Sequence, residues 1–332
     1  MSYTEQFAIG KLKLPNNIFY APLAGCSDIA YRTMSSQYKP GLMFCEMVKM
    51  EPLVRKDEGT YRMLRYEEPM RPIGGQICGS KLELAGTAAK IIEDLGFDII
   101  DFNCGCPVDK VTKDGSGSGM LKHPDLIGAI LFEMKRAVQI PITVKIRTGW
   151  DEDHIVAPML TQIAEQAGAA AICIHGRTRE QGYSGNANWD YIAECKKLAK
   201  NIKVIGNGDV FDAEKAKALF LHTGCDAILV SRGTMGQPWI VEDIRNLYAN
   251  NRLFSPSPLE VKEVLLKHLR TILSYNEERK SLLDFRRVCC YYLKKFVAVK
   301  TLKAAINHAE NTEEVFSLLE AFNWEPCIGT IL

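Results

Sequence analysis

The stretch PITVKIRTGWDEDHIVAPMLTQIAEQAGAAAICIHGR, residues 141–177, decides the fold. It opens on an apolar run, PITVKIRT (141–148). It then passes through VAPMLTQIAEQAGA, which has the spacing of an amphipathic helix with Gly168 placed to cap it, and closes on a second run, AAICIHGR (170–177). Run, helix, run is the βαβ unit, whose two strands lie parallel. Neither run alternates strictly between apolar and polar, as suits strands covered on both faces.

Six more runs of this kind lie outward from that unit: NNIFYAPLAG (16–25), GLMFCEMV (41–48), PIGGQICG (72–79), DIIDFNCG (98–105), IKVIGNGD (202–209) and DAILVSRG (226–233). Helical segments such as KLELAGTAAKIIEDLG separate most of them. Eight strand and helix units over about 250 residues predict an α/β chain folded as a TIM (β/α)8 barrel. A doubly wound sheet would place a Gly-rich turn after the first strand, and none is present. Near NNRLFSPSPLE the alternation stops, which sets a domain boundary at residue 253: a barrel over 1–252 and a helical domain over 253–332. VKEVLLKHLRTILSYNEE and EEVFSLLEAF each carry an apolar stripe that a small bundle would bury.

Composition excludes several classes. The chain has 332 residues, 47% hydrophobic and 24% charged, with formal net charge +1, so overall charge argues neither for nor against an RNA partner. Eleven scattered cysteines do not resemble a disulfide framework and suit a reducing cytosol. No apolar run reaches the roughly 18 residues of a membrane span, and the start MSYTEQFAIG lacks a basic flank followed by an apolar segment. A cytoplasmic, monomeric protein without membrane contact is expected.

In a TIM barrel the chemistry sits where strands end. Here the fourth strand ends at Asn103, Cys104 and Cys106, the fifth carries Lys145 and Arg147, and the sixth ends at His175 and Arg177. The seventh ends in Asn207, Gly208 and Asp209, and the eighth in Ser231, Arg232 and Gly233. One such residue alone is commonly a solvated or hydrogen-bonded side chain, but five ends converging on one mouth point to a site. The loops after strands seven and eight form the usual phosphate site of this fold. Their glycines let backbone N–H groups approach a phosphate, and Arg232 can add a charged fork. A lysine in the mouth is what a flavin needs near N1 and O2, where charge gathers on reduction, and a neutral His175 would supply one donor to the same edge.

Zinc is a poor match for NCGCP, which is C-x-C with neither a second cysteine pair nor H-x₃₋₅-H, so no metal is expected. A thiol with the ordinary pKa of about 8.5 is mostly protonated at neutral pH and can act as a general acid. That role pairs with a hydride donor: hydride adds to one end of a C=C bond and the thiol protonates the other. A second clue lies in RKSLLDFRRVCCYYLKKFVAVKTLK (279–303), with eight Lys or Arg against one Asp, interleaved with aromatics. The tail beyond has five Glu and no Lys or Arg. A basic, aromatic segment suits a nucleic-acid backbone, although a solvated helix face is the commoner origin of one charge run.

The chain resembles the tRNA-dihydrouridine synthases, most of all their B-type bacterial branch. The resemblance rests on APLAGCSD (21–28), EM (46–47), GGQICG (74–79), NCGCP (103–107), GSGSGML (115–121), VKIRTGW (144–150), HGRTREQGYSG (175–185), NGD (207–209) and SRGTMGQPWI (231–240), in order. It implies an FMN-bearing barrel that uses NADPH to reduce the C5=C6 bond of particular uridines in tRNA, in its D-loop. Carried over by position, Cys106 would give the proton to C5, with Cys104 a neighbour without that role. Gln76, Lys145 and His175 would contact the flavin ring. Asn207, Gly208, Asp209, Ser231 and Arg232 would lie near its phosphate and ribityl chain, and Pro22 and Ala24 would pack under it. Asn103 would hold the uracil and Arg177 would lie near the substrate, while Arg286, Arg287, Lys294 and Lys295 of the basic segment would grip the tRNA. Ser231 stands where a glycine is usual and Gly119 where an alanine is usual.

Two other readings share some of these features. A flavin barrel acting on a free pyrimidine, as dihydroorotate dehydrogenase does, shares the phosphate loops and the lysine but gives no reason for a basic C-terminal domain. A tRNA-binding protein without chemistry gives no reason for the Cys, Lys and His set.

Overall fold

All eight runs form strands, and the strands close on one another. The computed structural model describes residues 2–250 and 256–325. Its barrel strands are β1 (Ile18–Tyr20), β2 (Leu42–Phe44), β3 (Ile73–Cys78), β4 (Ile99–Cys104), β5 (Ile142–Arg147), β6 (Ala171–His175), β7 (Lys203–Asn207) and β8 (Ala227–Val230). Each pairs in parallel with the next. β8 returns to β1 with Leu229 opposite Phe19, which closes the barrel and leaves no barrel edge unpaired.

Side chains along each strand alternate between two environments. Ile100, Phe102 and Cys104 of β4, Val144 and Ile146 of β5, and Ile172 and Ile174 of β6 face outward and join the core beneath the surrounding helices. Ile99, Ala171, Cys173, Ile205, Ala227 and Leu229 belong to a second cluster inside the barrel, with Phe19, Leu42 and Phe44. Gly74 of β3 makes room for one of these: a Cβ there would stand 2.4 Å from the Phe44 ring. A hairpin that the sequence did not announce, Phe7–Ile9 paired with Leu12–Leu14, adds Ile9 and Leu14 to the inner cluster and so plugs the N-terminal end. Nearer the C-terminal end the inward positions turn polar, with Gln76, Asp101, Asn103, Thr143, Arg147, His175 and Asn207 all buried.

The helices follow from spacing and caps. Leu82–Asp94 buries Ala85, Ala88, Ala89 and Ile92, one stripe at helical period. Ala213–Thr223 starts at Asp212, whose side chain accepts the Lys215 N–H, and stops at Gly224 in the left-handed region at φ 64°. No helix among the described residues is long and apolar enough to cross a membrane.

The expected boundary at 253 lies outside the described residues. Beyond it, Ser257 and Glu260 form a capping box that starts the helix Pro258–Tyr275. Glu278–Tyr292, Lys300–His308 and Thr312–Ala321 complete a bundle with its own apolar core, in which Val261, Leu265, Phe285, Leu302 and Val315 are buried. Ala30 and Trp239 from the barrel enter that core, so the bundle packs on the first barrel helix, Ile29–Ser36. Tyr275 Oη donates to Glu67 Oε1 at 2.6 Å and lies 3.2 Å from Thr33 Oγ1 across the same junction.

Candidate active site

The polar inner layer opens into a cavity of about 320 Å³ at the C-terminal mouth of the barrel. Its walls bring together Cys106 with Pro22, Ala24, Gln76, Asn103, Lys145 and His175, and, at the other end, Asn207, Gly208, Asp209, Ser231 and Arg232. Cys104 is excluded because it is the last outward-facing position of β4 and is fully buried.

Cys106 sits in the loop after β4 with both of its backbone polar groups held. Asn103 Oδ1 accepts the Cys106 N–H at 2.9 Å and the Gly105 N–H at 3.0 Å. The Cys106 carbonyl accepts from the Ser118 N–H at 3.0 Å and the Ser118 hydroxyl at 2.9 Å. The Gly-rich loop thus serves the cysteine. At Gly117, with φ +57°, a Cβ would stand 2.8 Å from the Cys106 carbonyl oxygen, closer than real side chains come. Arg147, 1% exposed, adds a brace: its Nε donates to the Gly105 carbonyl at 3.0 Å and its Nη1 to the Thr178 carbonyl at 2.6 Å.

Electrostatics on this wall are unbalanced. Lys145 lines the cavity and its ammonium has no hydrogen bond or ion pair with any described residue. Burial lowers its pKa, and the nearby Arg147 charge acts in the same direction. His175 is held neutral, because burial first, and then the charges of Lys145, Arg147, Arg177 and Arg232, push its pKa well down. Arg177 Nη1 points at His175 Nε2 at 3.4 Å; a guanidinium only donates, so Nε2 accepts and the proton resides on Nδ1.

At the far end Gly208 has φ +124°, and a Cβ on it would meet Ala187 Cβ at 2.7 Å and His175 Cδ2 at 3.1 Å. The Ser231 Oγ accepts from Asn207 Nδ2 at 3.0 Å, which leaves its hydroxyl hydrogen available. The Arg232 guanidinium lies 4.4 Å from the Tyr183 ring centre and 5.3 Å from that of Phe211. These donors fit an FMN: an unpartnered cation and a neutral imidazole for the ring, and an arginine, a hydroxyl and a glycine turn for the phosphate.

Other residues singled out in the sequence lie elsewhere. Arg177 is 2% exposed and makes a two-pronged pair with Asp209, so it reaches the cavity through that partner. Arg286 Nη2 donates to the Ala309 carbonyl at 2.6 Å inside the bundle. Lys295 bonds to Gln237 Oε1, whose own amide nitrogen donates to the Phe211 carbonyl at 2.6 Å, tying the bundle to the loop after β7. Arg287 and Lys294 are exposed, and Arg287 lies beside Gly25 at the barrel mouth. Cavity residues that the sequence did not single out include Cys26, Met47, Tyr183, Phe211 and Met235. Tyr183 stands within HGRTREQGYSG, Cys26 within APLAGCSD, Met47 within EM and Met235 within SRGTMGQPWI, signals that were available; Phe211 lies outside those stretches, and only the fold brings it here.

Comparison with known proteins agrees with this geometry. The profile of the dihydrouridine synthase family matches residues 19–325. The tRNA-dihydrouridine synthase B of Klebsiella pneumoniae is 36% identical over 317 residues, covering 95% of this chain and 98% of that protein. The protein of the same name from Escherichia coli K12 gives the same figures. Among solved structures, histamine dehydrogenase from Rhizobium sp. 4-9 superposes with TM-score 0.57 at 13% identity, covering 80% of this chain and 50% of that one. Morphinone reductase gives 0.55 at 15% identity, covering 77% and 91%, a likeness of fold.

Proposed function

Because the chain belongs to the dihydrouridine synthase family, we propose that Cys106 is the acid of its reaction and that the cavity holds FMN beside it. The protein is a flavin-dependent oxidoreductase that reduces the C5=C6 bond of uridine in tRNA to 5,6-dihydrouridine. When bound, reduced FMN supplies the hydride that adds at C6, and NADPH restores it. Lys145, His175 and Gln76 would hold the flavin ring, and Pro22 and Ala24 would pack against it. Ser231, Arg232 and the turn Asn207 to Asp209 would hold the phosphate and ribityl chain.

The remaining steps belong to protein side chains. Asn103 has both Oδ1 bonds committed to the loop, so what it offers the uracil is an N–H, which suits a carbonyl of the base. Negative charge that develops toward C5 is quenched when the Cys106 thiol gives up its proton there. The resulting thiolate recovers a proton from solvent, so one hydride and one proton account for the two hydrogens gained. A stacked uridine is out of reach of this cavity and must be turned out, at a cost of a few kcal/mol. Exposed Arg287 and Lys294 offset that cost by holding phosphates. We assign the substrate to the D-loop and the site of action to the cytosol.

The observation that carries the reading is Cys106 held by both backbone groups on a wall it shares with an unpartnered lysine. Nucleoside mass spectrometry of unmodified tRNA, incubated with the protein and NADPH, tests it. A gain of two hydrogens at one D-loop uridine is expected; a flavin-loaded, reducible protein that leaves tRNA unchanged sinks the reading.

A further inference from the structure

We infer that Asp101, beneath the cavity floor, is a positioning residue for Cys106, an inference that rests on the acid role proposed for that thiol. Asp101 points into the barrel from β4 and is 4% exposed. A carboxylate accepts hydrogen bonds and donates none. Thr143 Oγ1 donates to its Oδ1 at 2.5 Å, and Gln76 Nε2 donates to its Oδ2 at 2.7 Å. With Nε2 committed downward, Gln76 turns Oε1 up to Asn103, whose Nδ2 donates to it at 2.9 Å. With one Nδ2 hydrogen given to Gln76 and the other left for the base, Asn103 turns Oδ1 to the N–H groups of Gly105 and Cys106.

The two ends of this chain of bonds agree. An isolated amide can be turned either way, since its oxygen and nitrogen have nearly the same shape. Here an acceptor-only carboxylate stands at one end and donor-only backbone amides at the other, and two side-chain amides fit between them in a single polarity. Asp101 therefore sets, through Gln76 and Asn103, the direction in which the Cys106 loop is held and the donor that Asn103 shows to the base. Burial raises the Asp101 pKa, and the Thr143 and Gln76 donors and the Lys145 charge offset that rise only in part. A fully satisfied buried network of this kind is stiff, and reversing one member forces two like groups to face each other.

The test is a polarity swap in the full-length, flavin-loaded protein. Gln76→Glu sets a carboxylate against Asp101 and breaks the chain. Adding Asp101→Asn restores it, because an asparagine N–H can donate to the new carboxylate and its oxygen can accept from Thr143. Hydrogen–deuterium exchange of the peptide containing residues 103–106 should quicken about tenfold in Gln76→Glu and should slow again to the wild-type rate in the double variant. A double variant no better than Gln76→Glu overturns the inference, since independent structural roles would simply add. Should Gln76→Glu not fold, a folded double variant with slow exchange supports the inference, and a double variant that also fails overturns it. Cys106→Ala, run alongside, separates the two assignments: full turnover there removes the acid role, while the exchange rates still judge Asp101.

Discussion

Arg177 and Asp209 meet end to end: the two terminal guanidinium nitrogens donate to the two carboxylate oxygens, each at 2.8 Å. The pair joins the loop after β6 to the loop after β7, with Arg177 further bonded to the Ser184 and Gly185 carbonyls. Asp209 holds its place at φ +56°, a left-handed conformation that costs a non-glycine residue energy. Burial raises the Asp209 pKa, but the Arg177 bonds, the Ala187 N–H and the charges of Arg177 and Arg232 outweigh it, and the net shift is downward. The pair's stabilisation is thus fully present above the unfolded carboxylate value of about 3.9 and is lost as pH falls through the lower folded value. Arg177→Met should cost about 3 kcal/mol at neutral pH, read from denaturant unfolding, and should flatten the acid limb. Arg177→Lys should recover little, because an ammonium cannot make the two-pronged bond.

Cys106→Ala removes only a thiol, since both backbone groups of Cys106 bond without it. Flavin content and thermal stability should stay at wild-type values while dihydrouridine formation falls by about 10² or more, the usual contribution of a positioned acid. Flavin absorbance and nucleoside analysis on one preparation check this. A variant that keeps its flavin and its full rate would mean that another group protonates C5.

His268 gives the fold a pH dependence of its own. It lies in the bundle core at 2% exposure, with Nδ1 3.1 Å from Tyr292 Oη and Nε2 unpartnered. Burial alone lowers its pKa to about 3. The unfolded chain takes up this proton near pH 6.5 and the folded one does not, so stability is full above about 6.5 and declines as pH falls toward 3. At pH 5 the loss should be about 2 kcal/mol. In His268→Gln the slope from this group should vanish, which unfolding curves at pH 7 and pH 5 would show.

The barrel was legible because each strand carries an outward stripe of apolar residues that must lie under a helix. Ile100, Phe102, Val144, Ile146, Ile172 and Ile174 announce it in sequence. The alternation that separates inside from outside was hidden, because the inward partners Asp101, Asn103, Thr143 and Lys145 read as interruptions of an apolar run until the bonds among their neighbours are seen. Cys106, Lys145 and His175 stand at strand ends, where the fold rule places chemistry, and so could be named from position. The duties of Arg177, Arg286 and Lys295 could not, since a basic residue reads the same in sequence whether it faces solvent or a buried carbonyl.

That distinction sorts the basic segment into two groups with different phenotypes. Arg286 and Lys295 are engaged within the protein, the first with the Ala309 carbonyl and the second with Gln237. Burial lowers the Lys295 pKa, with the nearby Asp243 charge opposing, as befits a cation turned inward. Arg287 and Lys294 are exposed, and the ion pair that Arg287 makes with Asp284 at 3.4 Å is a surface one that contributes little. Arg287→Ala and Lys294→Ala should therefore weaken tRNA binding and lower the slope of log affinity against log salt by about 1 each, leaving the melting temperature unchanged. Arg286→Ala should leave the Ala309 carbonyl without its partner and cost about 1–2 kcal/mol of stability, with little change in the salt slope. Filter binding of tRNA at several salt concentrations, set beside thermal melts of the same four single variants, including Lys295→Ala, would decide it. Equal salt slopes for all four would mean that the inward-turned pair also reaches the RNA backbone.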